Sequence, residues 1–398
     1  MAGMFSKLIG SLGSGLFSSA GKSVLGVDIG NSSIKVVQLR KEKGVALLET
    51  YGEIALGPYA SLETGRSTNL PADKLSEALK DLMQEANVTT MDCGVSVPFA
   101  SSLITLIEMP ALDQTQLAKM IPIEARKYIP VPITEVQLDW FVIPNDDARF
   151  FSKDSPEQKA EQISGPAAAT PQQQAPKVPT STTTVLLVAI HNEMLRKYAE
   201  VLTLSGLKPA FFEIEIFSSI RAVMDRGTAP FVVIDIGASS TKLYVVEYGI
   251  VRVSHIISKG SQDITLSLSR SLGIPIDKAE KMKRELGLLG AGTGADGKSV
   301  SQTAQLTMEF IFSEAKRSIL SYQKRYNKNV NKIVFTGAGA SIQGLKGFAA
   351  ERFDMEVVLA DPFQKVQSPA FLEEVLKGAG PDFAVAVGLA LRKLQEEE

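Results

Sequence analysis

The segment Val27 to Val36, VDIGNSSIKV, returns as Ile234 to Leu243, IDIGASSTKL, with aspartate, isoleucine, glycine, two serines and lysine in the same register. Each copy lies between apolar, β-branched runs, VLGVDI then IKVVQL and FVVIDI then TKLYVV. Both spacings predict a strand, a tight glycine turn and a second strand. A carboxylate at the end of a buried strand, followed by small residues with free backbone N–H groups, suits a metal-bound phosphate chain. The glycine permits close approach, amides and hydroxyls donate to phosphate oxygens, and the aspartate faces a divalent cation. Strand–aspartate–glycine turns also occur singly in unrelated settings. The pair carries the reading, and it predicts two similar lobes gripping one ligand.

Bulk properties narrow the field. At 398 residues the chain is too long for one core. A net charge of -2 with no lysine/arginine cluster gives no electrostatic case for nucleic acid. Cys93 is the single cysteine, so an intrachain disulfide is excluded. His191 and His255 are the two histidines, which excludes a histidine-rich zinc site and leaves a serine–histidine hydrolase without a supporting motif. No apolar run reaches bilayer-spanning length.

Two stretches depart from globular composition. In residues 1–23, Phe5, Leu8, Ile9, Leu12, Leu16 and Phe17 recur at helical spacing among serines and glycines. Such a stripe could lie on a membrane surface or dock on a partner. Its glycines weaken any helix, and a flexible terminal tail is the expectation. Residues 145–183 are rich in proline, alanine, glutamine, serine and threonine and predict a flexible polar loop joining neighbouring strands.

Elsewhere strands and helices alternate. LPADKLSEALKDLMQEANV reads as an amphipathic helix with Leu75, Leu79, Leu82, Met83 and Ala86 on one face, followed by the strand GVSVP. SSLITLIEMP is a strand, and Asp113 opens a helix through Tyr128 that Pro122 should kink. After the polar loop come the strand VLLVAI, the helix NEMLRKYAEVLTLSG ending at Gly206, and AFFEIEIFSSIRAVM as strand into helix. DITLSLSRSLG and DKAEKMKRELG are helices, a glycine-rich loop follows, and a long helix runs from about Gln305 to Asn327. KIVFTGAGA is a strand entering a glycine turn.

Three nucleotide-site signatures compete. Gly292 to Ser299, GTGADGKS, fits a Walker A pattern by letter, with Lys298 as its lysine, and its first six residues also spell GxGxxG. Both motifs need a buried strand in front of the glycines. Here a charged helix stands there, so the segment reads as an interhelical loop. The paired hairpins, joined by FTGAGA at Phe335 to Ala340, do have strands in front, and they meet the structural requirement of a phosphate site.

Two aspartate–glycine hairpins and a strand ending in TGAGA resemble the actin-fold ATPases, among them actin, sugar kinases, large heat-shock chaperones and the division protein FtsA. The resemblance implies a first phosphate motif at Asp28, Gly30, Asn31, Ser32 and Ser33 with Lys35 beside it. It implies a second at Asp235, Gly237, Ala238, Ser239 and Ser240, and an adenosine motif at Gly337, Ala338 and Gly339. Glu280 and Lys283 match a helix that packs on adenosine in several members, or they form an ordinary solvated helix face. Helical connections are expected at Glu215 to Ser219 and around Gly388.

Within that fold the chain is most similar to the PilM family of type IV pilus assembly proteins. LGVDIGNSSIKVVQL, EARKYIPVPITEVQLDW, IEIFSSIRAV and DFAVAVGLAL carry the resemblance, and EARKYIPVP has no counterpart in sugar kinases or chaperones. The implied fold class is α/β: an actin-like two-lobed ATPase fold with an inserted small subdomain of the FtsA/PilM kind. Expected boundaries are 24–101, 207–229 and 378–398 for the first lobe, with 102–206 inserted. The second lobe is 230–260 with 331–377, and its helical subdomain is 261–330.

The resemblance implies a cytoplasmic protein, peripheral at the inner membrane through its partners, that binds ATP with Mg2+ held by Asp28 and Asp235. Its implied partner is the cytoplasmic N-terminal peptide of the membrane protein PilN, captured between the first lobe and the inserted subdomain. Hydrolysis needs a residue that orients water, and Glu215 is the candidate; binding without turnover fits the sequence equally. Tyr128, Ile129, Pro130, Val131 and Pro132 form a proline-stiffened corner that either borders the peptide groove or closes a helix on its neighbour. An actin-fold metabolite kinase and an FtsA-like filament protein are the alternatives. The kinase lacks a recognisable substrate block, and LRKLQEEE is too short and acidic for a division protein's membrane helix.

Overall fold

A computed structural model describes residues 22–143, 182–225, 227, 229–290 and 294–396. Of the expected tail over 1–23 and polar loop over 145–183, residues 1–21 and 145–181 lie outside them, as do Gly292 and Thr293, while Ser23, Thr182 and Thr183 belong to strands. The chain opens with β1 (Ser23–Ile29), β2 (Ser33–Glu42) and β3 (Val45–Ala55), then α1 (Ala72–Glu85) and β4 (Asp92–Val97). Next come β5 (Ser102–Pro110), α2 (Gln114–Ala125), β6 (Val136–Ile143) and β7 (Thr182–His191). It continues through α3 (Asn192–Ser205), β8 (Lys208–Ile214) and α4 (Glu215–Val223). The second lobe has β9 (Phe231–Ile236), β10 (Thr241–Glu247), β11 (Ile250–Ile257), α5 (Ser261–Leu272) and α6 (Ile276–Leu286). It ends with α7 (Gly294–Tyr326), β12 (Lys332–Thr336), α8 (Leu345–Ala350), β13 (Glu356–Leu359) and α9 (Glu373–Glu396).

The duplication read from ten residues extends over two whole sheets. Their strand orders are β3-β2-β1-β4-β8 and β11-β10-β9-β12-β13, each an antiparallel meander extended by parallel strands. The third strands, β3 and β11, were not read from the sequence. Each is reached through a two-residue turn with both residues at positive φ, Lys43–Gly44 and Tyr248–Gly249. That geometry matches the right-handed twist of a hairpin, and only the glycine at its second position marks it in the sequence.

Each sheet buries a helix layer. α1 and α3 cover one face of the first sheet, where Leu79, Leu82, Tyr198 and Leu202 pack with Val27 and Val36. α9 covers the other, with Phe383, Val387 and Leu394 against Val24 and Val37. Fully burying one such leucine stabilises the fold by about 1.5–3 kcal/mol. In the second lobe Ile311 and Phe312 of α7 pack on Ile234, Val245 and Phe335. α7 begins at Gly294, well before the expected Gln305, because Val300, Ala304 and Met308 continue its buried stripe. Packing of that stripe outweighs the weak helix propensity of the glycines.

The described residues 103–143 and 182–191 form a compact unit of their own. Its sheet order is β5-β7-β6, and α2 places Leu117 and Ile121 against Ile107, Val185 and Leu187. Asp113 caps α2 by accepting from the Gln116 amide at 2.8 Å, and the helix stops at Ala125, before Tyr128. The unit is shorter than the expected 102–206. α3 belongs with the lobes because its apolar face joins the α1 core.

Candidate functional site

The two hairpins are built alike. In the first, Asp28 pairs with Lys35 and Ile29 with Ile34; in the second, Asp235 pairs with Lys242 and Ile236 with Thr241. Gly30 N donates to Ser33 O at 3.0 Å, and Gly237 N donates to Ser240 O at 3.0 Å. Asn31, Ser32, Ala238 and Ser239 therefore sit at turn tips outside the strand pairing. The tips meet, Asn31 Nδ2 donating to Ser239 Oγ at 3.1 Å. Two copies of one phosphate-type turn thus close on a common cleft.

That cleft encloses about 210 Å³. Asp28, Gly30, Asn31, Ser32, Ser33, Lys35, Glu215, Asp235, Gly237, Ala238, Ser239, Ser240, Gly337 and Ala338 all line it. Gly337 has φ 81°, and a Cβ there would stand 2.2 Å from Asp235 Oδ1, so this turn can be pressed on the second aspartate only as glycine. Three expected residues do not line the cleft. Gly339 packs behind it, where a Cβ would meet Ile236 Cγ2 at 2.3 Å.

Glu280 and Lys283 are buried and bonded to one another at 2.7 Å, so the solvated-face alternative does not hold. Glu280 also accepts from Thr265 Oγ1 at 2.6 Å and Arg284 Nε at 2.8 Å. Burial disfavours its charge, but Lys283, Thr265 and Arg284 outweigh burial and hold it below the ordinary carboxylate range. The pair joins α5 to α6.

Asp28 Oδ1 accepts from Ser96 Oγ at 2.8 Å. Burial pushes its carboxyl above the ordinary range, against the opposing pull of Lys35 and Ser96. Glu215, at the start of α4, is engaged on both oxygens: Oε1 accepts from Phe99 N and Oε2 from Lys242 Nζ, each at 2.7 Å. Lys242 Nζ also reaches Asp235 Oδ2 at 3.2 Å. Burial opposes the Lys242 charge, yet Asp235 and Glu215 overcome it and keep the ammonium protonated far above its usual range. Lys242 and Ser96 were not among the expected site residues. The repeat does contain the signal for Lys242, which occupies the position of Lys35; nothing in GVSVP singles out Ser96.

The residues present fit a nucleotide with its cation. Thr336 lines the cleft, and its Oγ1 is buried without a hydrogen-bond partner among the described residues. Among those residues no three His, Cys, Asp or Glu side chains converge to hold a metal unaided. Mg2+ is commonly held by one or two carboxylates together with substrate phosphates and water, and Asp28 and Asp235 supply that number. Among its described residues the Walker-like segment lacks the strand that a P-loop needs. Its described part, Gly294–Ser299, is the opening of α7, and α6 precedes it where a P-loop needs a strand.

The sequence matches the family described as Type IV pilus assembly protein PilM over residues 26–154 and 172–394. The chain belongs to that family. FtsA of Neisseria meningitidis serogroup B is 28% identical over 204 residues, 46% of this chain and 48% of that protein. This match spans about half the length of that curated relative. A solved PilM-PilN type IV pilus biogenesis complex superposes with TM-score 0.73 and 22% identity, covering 93% of this chain and 98% of that one. MreB 5 of Spiroplasma citri, solved bound to AMPPNP, gives TM-score 0.50 and 10% identity over 94% of this chain and 98% of that one. The PilM-family chain thus has the expected actin-like fold. Among its described residues no helix is long and apolar enough to cross a membrane.

Proposed function

We propose that this chain is an ATP-binding scaffold of the type IV pilus assembly machinery, cytoplasmic and peripheral at the inner membrane, that captures the cytoplasmic N-terminal peptide of PilN. The carrying observation is the Asn31–Ser239 contact, which closes two copies of one hairpin on a single cleft. Asp28 and Asp235 hold Mg2+ directly or through water, and the turn amides and hydroxyls receive the phosphates. Bound Mg2+ supplies charge neutralisation for the phosphate chain. The AMPPNP-bound MreB relative supports the nucleotide, and the PilM-PilN complex supports the partner. Binding with little or no turnover is part of this reading, Glu215 being tied to Phe99 N and Lys242 Nζ.

Lys298 separates this site from the Walker-like one. Lys298 is exposed in the opening turn of α7. Lys298→Ala is expected to leave Mg-ATP affinity within about twofold in calorimetry, as for surface substitutions generally. A loss on the scale of the aspartate variants would move the site to α7.

For the partner, the separate unit presents apolar side chains to solvent: Met120 (41% exposed), Ile123 (64%) and Tyr128 (41%), while Ile129 is buried. The corner after α2 is thus split, Ile129 serving the core and Tyr128 facing outward. Tyr128→Ser is expected to weaken a labelled PilN N-terminal peptide about tenfold in fluorescence polarisation, the scale of an interface tyrosine, without weakening Mg-ATP. Mg-ATP should in turn tighten the peptide on the wild-type chain by reciprocal coupling. Unchanged peptide affinity in a folded variant removes Tyr128 from the interface. If no peptide binds the wild-type chain, the partner assignment fails.

A further inference from the structure

The two hairpin lysines hold equivalent positions and do different things. Lys35 faces Glu53 across the β2–β3 pair, and its Nζ turns to Glu53 Oε1 at 3.2 Å and Ser33 Oγ at 2.9 Å. The residue facing Lys242 across the β10–β11 pair is Ile256, which offers no charge partner. The Lys242 side chain instead bonds Glu215 and Asp235 in the cleft. A cross-strand neighbour supplies the nearest partner for a sheet side chain, so one acid-for-apolar difference breaks the symmetry of the repeat. The consequence is electrostatic. Asp28, Asp235 and Glu215 line one cleft, the last two of them buried, and a cluster of carboxylates there is costly unless paired.

Resting on the nucleotide reading of the cleft, we propose that Lys242 is a resident cation. It holds Asp235 and Glu215 together before nucleotide arrives, offers positive charge to the entering phosphates, and makes retention of ADP less dependent on a divalent ion than it would be without Lys242. Lys35 also lines the cleft, but its ammonium is bonded to Glu53 and Ser33.

The test uses the full chain and three variants: Lys242→Met, Ile256→Glu, and Lys242→Met with Glu215→Gln. Ile256→Glu keeps the ammonium but rebuilds the pairing of the first hairpin, drawing Lys242 away from Glu215 and Asp235. Thermal melting is followed in EDTA and with Mn2+ alone, without nucleotide, and ADP affinity is measured in EDTA and in Mg2+. The wild-type chain should melt nearly alike in both metal conditions and lose no more than about tenfold in ADP affinity when Mg2+ is removed. Lys242→Met and Ile256→Glu should melt lower in EDTA, recover with Mn2+, and lose about a hundredfold in ADP affinity without Mg2+. The double variant, relieved of one carboxylate, should recover stability in EDTA and shows whether Lys242→Met fails merely by unfolding. Equal metal dependence in the wild-type chain and both single variants overturns the proposal. If the wild-type chain binds no nucleotide in either condition, the nucleotide reading fails, while the Mn2+ melting still reports on Lys242 by itself.

Discussion

Replacing Asp28 or Asp235 by alanine is expected to reduce Mg-ATP affinity by about a hundredfold or more, with secondary structure unchanged by circular dichroism. Losing one partner of a buried charge contact typically costs 2–5 kcal/mol, and each 1.4 kcal/mol is about tenfold in affinity. The two variants should differ in stability. Asp28 accepts from Ser96 Oγ, so Asp28→Ala orphans one hydroxyl. Asp235 is one of two carboxylates bonded to Lys242, so Asp235→Ala leaves a buried ammonium half-paired and should melt lower. The binding should also fall with pH in a definite direction. Burial raises the Asp28 carboxyl, so it takes up a proton at a higher pH than an ordinary aspartate. A cation needs the ionised form; affinity should therefore weaken as pH drops toward the carboxylate range, with a proton released on binding near that range. Wild-type affinity in either alanine variant would remove that aspartate from the cation site.

How far the sequence led can be followed through particular residues. The DIG repeat, read as two strand–turn–strand units, foretold both hairpins, and the register of Asp28 with Lys35 and Asp235 with Lys242 follows from it. Their convergence on one cleft needed tertiary structure, since Asn31 and Ser239 lie far apart in sequence. The third strand of each meander was missed because a single glycine, Gly44 or Gly249, is a faint mark between two otherwise continuous runs. Gly294 and Gly297 read as loop, yet they lie in α7, whose length is set by a buried stripe that local propensity does not see. Glu280 and Lys283 illustrate a further limit. Spacing of three put them on one helix face but could not tell whether that face meets ligand, solvent or α5. Lys242 was visible in the repeat and overlooked, because identity in register does not say which way a lysine turns. The residue that decides it, Ile256, sits on a strand the sequence reading lacked.

The second large effect is expected at Gly388, on the helix that joins the site's two halves. α9 lies against β1 and α4. A Cβ at Gly388 would stand 2.0 Å from Ser218 O, and one at Gly26 would stand 2.0 Å from Ala386 O. Both obstacles are backbone, which cannot swing aside as a side-chain tip can. For Gly388→Ala two effects oppose one another. Alanine gains up to about 1 kcal/mol of helix propensity over glycine. Overpacking a close contact typically costs about 1–3 kcal/mol, occasionally more, and a backbone clash this short belongs at the upper end. Steric cost wins, and Gly388→Ala should lower stability in urea unfolding by about 2 kcal/mol, a sizeable share of the roughly 5–15 kcal/mol that holds a domain. Gly378 provides the internal control: it lies in α9, and a Cβ there would meet nothing within 4 Å, so Gly378→Ala should stabilise or leave the midpoint unchanged. The damage should also reach the cleft. β1 ends at Asp28 with Ile29 and α4 begins at Glu215, so a helix forced off both of them displaces a cation ligand and the partner of Lys242 together. Gly388→Ala is accordingly expected to weaken Mg-ATP as well as the fold, whereas Gly378→Ala should weaken neither. Equal stability in the two variants would mean that α9 does not press on α4 at Ser218.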